Sequence, residues 1–240
     1  MHSNNEVGTL QPMDEIVDIA KEAHVPVHTD AVQSVGKVSV DVQELDVQAL
    51  ALSGHKLYAL KGAGALYIRS GFRVRRFLHG GHQERGRRAG TENIVGSVAL
   101  GAGCELAKAN LKKEPAQVAA LRDRLEQGIL EKIPHVTVNG HPEKRLCSTS
   151  SISFKYLEGE SILLRLSEKG VCVSTGSACS SASLEASPVL LAMGIEPQDA
   201  HGTIRFSLGR MNTQNEVDYT LEVLPPIIEE LRKMSPLYPG

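Results

Sequence analysis

The sequence is 240 residues long and nearly neutral, with 26 basic residues against 28 acidic ones and a formal net charge of −2. That length supports a full hydrophobic core in one large domain or two smaller ones, and the charge balance argues against a general electrostatic attraction to nucleic acid or to a membrane surface. No apolar run approaches the roughly 20 residues that span a bilayer, and the opening MHSNNEVGTLQP has neither the basic start nor the apolar centre of a signal peptide, so the chain reads as soluble.

In chain order, MDEIVDIAKEAH (13–24) predicts a helix with Ile16, Ile19, Ala20 and Ala23 on one face, and VPVHTD predicts a short buried strand ending in polar residues. VQALALSGHK predicts a second strand running into Ser53, Gly54, His55 and Lys56. GAGALYIR supplies a glycine turn and a third strand. Alternating helices and short apolar strands predict an α/β layered fold, in which functional groups collect beyond the strand ends. Asp30, Ser53, His55 and Lys56 all fall at such ends.

From about residue 94 the texture changes to two long helices, IVGSVALGAGCELAKANL and PAQVAALRDRLEQGILEKI. Strands are predicted at HVTVNG, SSISFKY, GVCVS and GTIRFSLG, with helices at GESILLRLSEKG and SPVLLAMG between them. The last helix opens with Thr213 and Glu216 in capping-box spacing, and Pro225 with Pro226 predicts a kink or split in it. The expected boundary lies near residue 95, giving 1–94 as one domain and 95–240 as a second, smaller one.

Four cysteines, Cys104, Cys147, Cys172 and Cys179, show no CxxC pair and no repeated Cys/His spacing, which argues against structural zinc and against a disulfide framework. The expected setting is reducing and cytoplasmic. Cys172, in GVCVS, reads as a buried packing thiol. Cys179 sits within VSTGSACSSAS, a stretch too rich in Gly, Ala and Ser for a packed element. A thiol on such a loop is reachable and reads as a nucleophile, a metal ligand or a disulfide partner.

Asp30 and Lys56, each at a strand end, are the pair that an aldehyde cofactor with a pyridine ring requires. The lysine forms a Schiff base, and the carboxylate keeps the ring nitrogen protonated so that the ring accepts electrons. Alone, the pair reads more readily as a turn aspartate and a solvated lysine. Ser53 and His55, flanking Gly54, can offer hydroxyl, imidazole and backbone donors to a phosphate, and Gln33 can hydrogen-bond a ring hydroxyl from the same edge. The cluster RVRRFLHGGHQERGRR (73–88) reads mainly as a solvated basic face.

Six segments in order, NNEVGTLQP, HTDAVQSVGK, SGHKLYALKGAGALYIR, ERGRRAGTEN, STGSACSSASLE and IRFSLGR, resemble the signature segments of pyridoxal-phosphate-dependent cysteine desulfurases of the NifS/IscS type, in the class V aminotransferase group. The resemblance implies the fold-type I architecture: part of a large domain with a central, mostly parallel sheet over 1–94, and a small C-terminal α/β domain carrying the cysteine loop over 95–240. It implies pyridoxal 5′-phosphate as cofactor, held by Lys56 as the Schiff-base lysine, Asp30 at the pyridine nitrogen, Gln33 at the ring oxygen, and Ser53 and His55 at the phosphate. It also implies that Thr91 reaches the phosphate site of a neighbouring subunit in a homodimer. Arg205, assisted by Asn5, would bind the substrate carboxylate, a bidentate task suited to guanidinium. Asn5 would also touch the cofactor.

By the same resemblance Cys179 takes sulfur from L-cysteine, leaves L-alanine and carries a persulfide, with Lys56 as proton shuttle and His55 assisting. The sulfur would pass to an acceptor or iron–sulfur scaffold protein. A Gly- and Ser-rich loop lets one thiol visit both cofactor and acceptor. Departures are Ala59-Leu60 where Gly-Pro is usual and His82 where a third glycine is common. Family members extend further at the N-terminus, so the chain is expected to match only about the latter three-fifths of a desulfurase. The alternatives are a selenocysteine lyase and a catalytically silent fragment or interaction module.

Overall fold

The computed structural model describes residues 1–176 and 186–239. The chain divides into two compact units, Met1–Ser3 with Gln11–Lys112, and Asn4–Leu10 with Lys113–Gly240.

The first unit contains helix α1 (Met13–Glu22), strands β1 (His28–Asp30) and β2 (Ala49–Ser53), a 3-10 turn η1 (Gly54–Leu57), strand β3 (Gly64–Ile68), a distorted single turn α2 (Gln83–Gly86) and helix α3 (Ile94–Asn110). Its sheet has the order β1-β2-β3. β1 runs parallel to β2, with His28 opposite Ala49 and Asp30 opposite Ala51. β3 runs antiparallel to β2, with Ser53 opposite Gly64. The α/β class is as expected, and this three-stranded sheet is mixed, with one parallel and one antiparallel pairing.

Helix α1 has Asp14 and Glu15 in its first turn and Lys21 in its last, both signs placed to suit the helix dipole. The face it buries differs from the expected one. Met13 and Val17, one turn apart, join Ala31, Val47 and Leu50 in the core, whereas Ile16 is 41% and Ile19 67% exposed. The sequence offers two apolar stripes about 100° apart, and the fit of Met13 and Val17 to the sheet decides between them.

Helix α3 belongs to the first unit, so the compact-unit boundary lies beyond the expected one at residue 95. The reason is a close approach of backbones. A Cβ on Gly103 would lie 3.1 Å from the Leu57 carbonyl oxygen, and one on Gly96 would lie 3.0 Å from the Ala63 Cβ. Both glycines are buried, and they let α3 lie directly on η1.

In the second unit, helices α4 (Glu114–Lys132), α5 (Gly159–Glu168), α6 (Pro188–Ala192), α7 (Pro197–His201) and α8 (Gln214–Met234) accompany strands β4 (Val136–Asn139), β5 (Thr149–Phe154), β6 (Ser174–Thr175) and β7 (Thr203–Ser207). The sheet order is β4-β5-β7-β6, with every pairing antiparallel. Ile129, Ile152, Phe154, Ile162, Ile204 and Leu224 form the centre of the core. Each such side chain contributes roughly 1.5–3 kcal/mol by leaving water.

The capping box forms at Thr213 and Glu216 as expected, but α8 runs unsplit through Pro225 and Pro226. Pro225 has no N–H for the Leu221 carbonyl, and the Lys132 ammonium donates to that oxygen instead, at 3.1 Å. Two further expectations are corrected at GVCVS. The strand is limited to Ser174–Thr175, and Cys172 is exposed rather than packed. Cys172 precedes β6 and takes no part in its ladder with β7.

Candidate active site

Because β1 and β2 are parallel, Asp30 and Ser53 leave the sheet at the same carboxyl edge, the edge at which open α/β sheets bind ligands. The Asp30 carboxylate accepts from the Val32 amide at 2.8 Å, which folds the chain back into the turn carrying Gln33. The Ala31 amide donates to the Ala51 carbonyl at 2.9 Å, and Ser34 N–H donates to Ala31 O at 2.9 Å. Beneath that turn the fully buried Ser34 hydroxyl pairs with His2 Nδ1 at 2.8 Å and with Ser3 Oγ at 2.6 Å. Lys37 Nζ donates to the Gln33 carbonyl at 3.0 Å. The strand end is therefore held from below and from both sides.

After Ser53, the 3-10 turn η1 carries His55 and Lys56. The Gly54 amide donates to Ala63 O at 2.8 Å, and a Cβ there would come within 3.1 Å of that same oxygen, a contact tight enough to favour glycine. Ser53 Oγ and His55 Nδ1 form a hydrogen bond of 2.8 Å. Lys56 is half-buried, and its ammonium makes no hydrogen bond or ion pair among the described residues. Tyr58 closes the turn in the left-handed region, at φ 60°. Asp30, Gln33, Ser53, His55 and Lys56 thus gather on one edge of one unit.

The second unit holds Arg205 and Asn5. Arg205 sits in β7 opposite Ser151 of β5 and Ser174 of β6. Its Nη1 donates to the Asn5 carbonyl at 2.9 Å, and its Nε is buried with no hydrogen-bond partner among the described residues. Asn5 lies in a turn that the Asn4 side chain builds, with its Oδ1 accepting from Glu6 N at 2.8 Å and from Val7 N at 3.0 Å. That turn is pinned by Leu146 N donating to Gly8 O at 2.8 Å and Leu10 N to Lys144 O at 2.9 Å.

Cys179 lies outside the described residues. Thr91 is exposed ahead of α3, near Asn93, which caps that helix by accepting from Gly96 N at 2.9 Å. The arginines of 73–88 are exposed and form no ion pair among the described residues. Sequence reasoning missed two features of the second unit: the buried Arg145–Glu126 pair, and the contact of Glu6 with Ser187, 181 residues away in sequence. For Ser187 a local signal existed, since Ser-Pro ahead of an apolar run is a helix start.

The donor set fits a phosphorylated pyridine aldehyde. An unpartnered amine, a carboxylate held at a strand end and a hydroxyl–imidazole pair at a glycine turn face one edge. The orphaned Arg205 Nε fits a carboxylate, which can also take the neighbouring guanidinium donors.

Fold and site together define an α/β unit that carries Lys56, Asp30 and the Ser53–His55 pair at the carboxyl edge of a parallel strand pair. The family model for aminotransferase class V matches residues 1–220, and the chain belongs to that family. It is 55% identical over 236 residues to "Cysteine desulfurase 2" of Trichormus variabilis, covering 98% of this chain and 59% of that protein. Among solved structures it is similar to a NifS-like protein from Rickettsia africae, with TM-score 0.87 and 29% identity over 95% of this chain and 60% of the other. It is also similar to the structure described as SspA in complex with cysteine, with TM-score 0.71 and 34% identity over 88% of this chain and 58% of that one. The chain spans about 59–60% of the length of the curated relatives it matches. No helix among the described residues is long and apolar enough to cross a membrane.

Proposed function

We propose that the protein is a cysteine desulfurase that uses pyridoxal 5′-phosphate to convert L-cysteine to L-alanine and passes the sulfur to Cys179. The observation that carries the reading is the Lys56 amine, unpaired among the described residues, in the turn that leaves the strand edge also carrying Asp30 and the Ser53–His55 pair. Lys56, Asp30, Gln33, Ser53 and His55 would hold the cofactor, and Asn5 is proposed as a further cofactor ligand. Once bound, the cofactor supplies an electron sink for the substrate α-carbon.

The residues of this chain do the rest. Arg205 takes the substrate carboxylate with Nε and a second guanidinium donor, steadied by the Asn5 carbonyl. Lys56 would move a proton at the substrate α-carbon. The Cys179 thiolate attacks the substrate sulfur. A sulfur–sulfur bond forms, the carbon–sulfur bond breaks, and the carbon keeps the electron pair and takes a proton. The balance is cysteine plus thiol giving alanine plus persulfide, with no outside oxidant. The unit of Met1–Ser3 and Gln11–Lys112 would carry the cofactor side, and the unit of Asn4–Leu10 and Lys113–Gly240 the cysteine loop. A homodimer with Thr91 reaching the partner's phosphate site, and onward transfer to an iron–sulfur scaffold or other acceptor in the cytoplasm, complete the proposal.

The test is alanine release from L-cysteine by cofactor-loaded protein, with mass-spectrometric mapping of the persulfide. Cys179→Ser should abolish sulfur transfer while cofactor binding stays intact. A persulfide mapped to Cys172, or full transfer by Cys179→Ser, overturns the assignment.

A further inference from the structure

Glu6 has no part in the chemistry above, yet it stands between two groups on which that chemistry depends. Its carboxylate accepts from the Ser187 hydroxyl. Ser187 is 1% exposed and is the N-cap of α6, accepting from Val189 N at 3.2 Å and Leu190 N at 3.3 Å. A hydroxyl has one proton and two lone pairs. With the proton given to Glu6 and the oxygen facing two amides, every hydrogen-bonding valence of Ser187 is used.

One residue earlier, the Asn5 carbonyl accepts from Arg205. Arg205 is in turn the register partner of Ser174 in β6, and the next residue after β6, Gly176, donates its amide to Thr203 O at 3.1 Å. The Arg205 guanidinium and the Ser187 hydroxyl therefore meet two consecutive residues, Asn5 and Glu6, while the chain before residue 177 is held to β7 through Ser174 and Gly176. Their turn is rigidly seated. Val7 is 2% exposed and packs with Leu190 and Ala200, so the same turn also forms the apolar seat of α6.

We propose that Glu6 is a positioning residue: through Ser187 it fixes the exit of the segment that carries Cys179, on the same turn that orients Arg205. The proposal rests on the reading of Cys179 as sulfur acceptor. The Glu6 carboxylate touches no reacting atom and acts only through the Ser187 hydroxyl. A neutral acceptor would leave a weaker hydrogen bond, and no acceptor would leave a buried hydroxyl donor unsatisfied. A displacement of about 1 Å at an anchor is enough to cost on the order of a hundredfold in a reaction that needs aligned atoms.

The experiment uses the full chain loaded with pyridoxal phosphate and the variants Glu6→Ala, Glu6→Gln, Ser187→Ala and the Glu6→Ala/Ser187→Ala double. Glu6→Ala and Ser187→Ala should each lower kcat for alanine release by about tenfold or more while KM for cysteine stays within about twofold, because positioning acts on the step and not on binding. The double variant should be no worse than the poorer single, since both act through one hydrogen bond. Glu6→Gln, which keeps an acceptor oxygen, should recover most of the rate. Independently of cofactor and activity, hydrogen exchange at the Val189 and Leu190 amides should quicken about tenfold in Glu6→Ala and much less in Glu6→Gln. Unchanged exchange in Glu6→Ala, additive losses in the double variant, or a raised KM with normal kcat overturns the proposal. Loaded wild-type protein that releases no alanine would instead sink the desulfurase reading, and the exchange comparison would still decide whether Glu6 holds the start of α6.

Discussion

Arg145 and Glu126 form a paired, two-hydrogen-bond ion pair, Nη1 to Oε1 at 2.7 Å and Nη2 to Oε2 at 2.6 Å, with both side chains only 8% exposed. Glu126 comes from α4, and Arg145 from the segment that bridges to Thr9. The carboxylate holds the Arg145 guanidinium above its ordinary range. Removing one partner leaves a buried charge unpaired, which costs about 3–5 kcal/mol. Asp123, 3.9 Å from Arg145, compensates in part and sets the expectation at the lower end. Glu126→Ala should therefore lose about 3 kcal/mol of unfolding free energy in urea. The double change Glu126→Leu with Arg145→Met should recover most of it, and a loss in the double as large as in the single would contradict the account.

A second prediction concerns Lys56. Protein reconstituted with pyridoxal phosphate should develop a yellow absorption band, and borohydride reduction should fix the label on Lys56. Lys56→Ala should lose both. A reduced adduct mapped to Lys61 would assign the Schiff base to the other lysine of SGHKLYALK and overturn the role of Lys56.

The cysteines give a third. Cys172 is exposed and Cys104 half-buried, with burial pushing the Cys104 thiol up from its ordinary value. The thiolate is the reactive form. Iodoacetamide at mildly alkaline pH should modify Cys172 well before Cys104, read by peptide mass spectrometry. Cys172→Ser should change stability by less than about 0.5 kcal/mol, as a surface substitution does. Faster labelling of Cys104 would refute the placement.

A fourth follows from His2, which is 8% exposed and bonded to Ser34. Burial lowers the pKa of its imidazole. The unfolded chain then binds the proton at higher pH than the folded one, so the stability associated with neutral His2 is fully present above about pH 6.5 and is lost as pH falls through that value. The urea midpoint should fall between pH 7 and pH 5.5, less steeply in His2→Gln. Parallel profiles for the two proteins would remove His2 as the cause.

How much of this was legible in advance depended on the range of the interaction. The turn after Asp30, the Ser53-Gly54-His55 turn and the Thr213/Glu216 capping box are made by neighbours in sequence, so residue type and spacing sufficed to locate them. The buried stripe of α1 is not legible in the sequence because Ile16 and Ile19 satisfy the same periodicity as Met13 and Val17. Periodicity names a set of stripes, and only the partner surface selects one.

The sequence by itself determined the family, the strand ends that carry Lys56 and Asp30, and the α/β class, because those follow from local backbone preferences and ordered motifs. Tertiary structure alone decided that Lys132 supplies the donor that keeps α8 whole at Pro225, that the glycines of α3 seat it on η1, and that Cys172 lies exposed. It also decided that Glu6 meets Ser187 across 181 residues. Hydrogen bonding and burial act over a few ångströms in space whatever the separation along the chain, so no local pattern encodes which distant group will occupy that space.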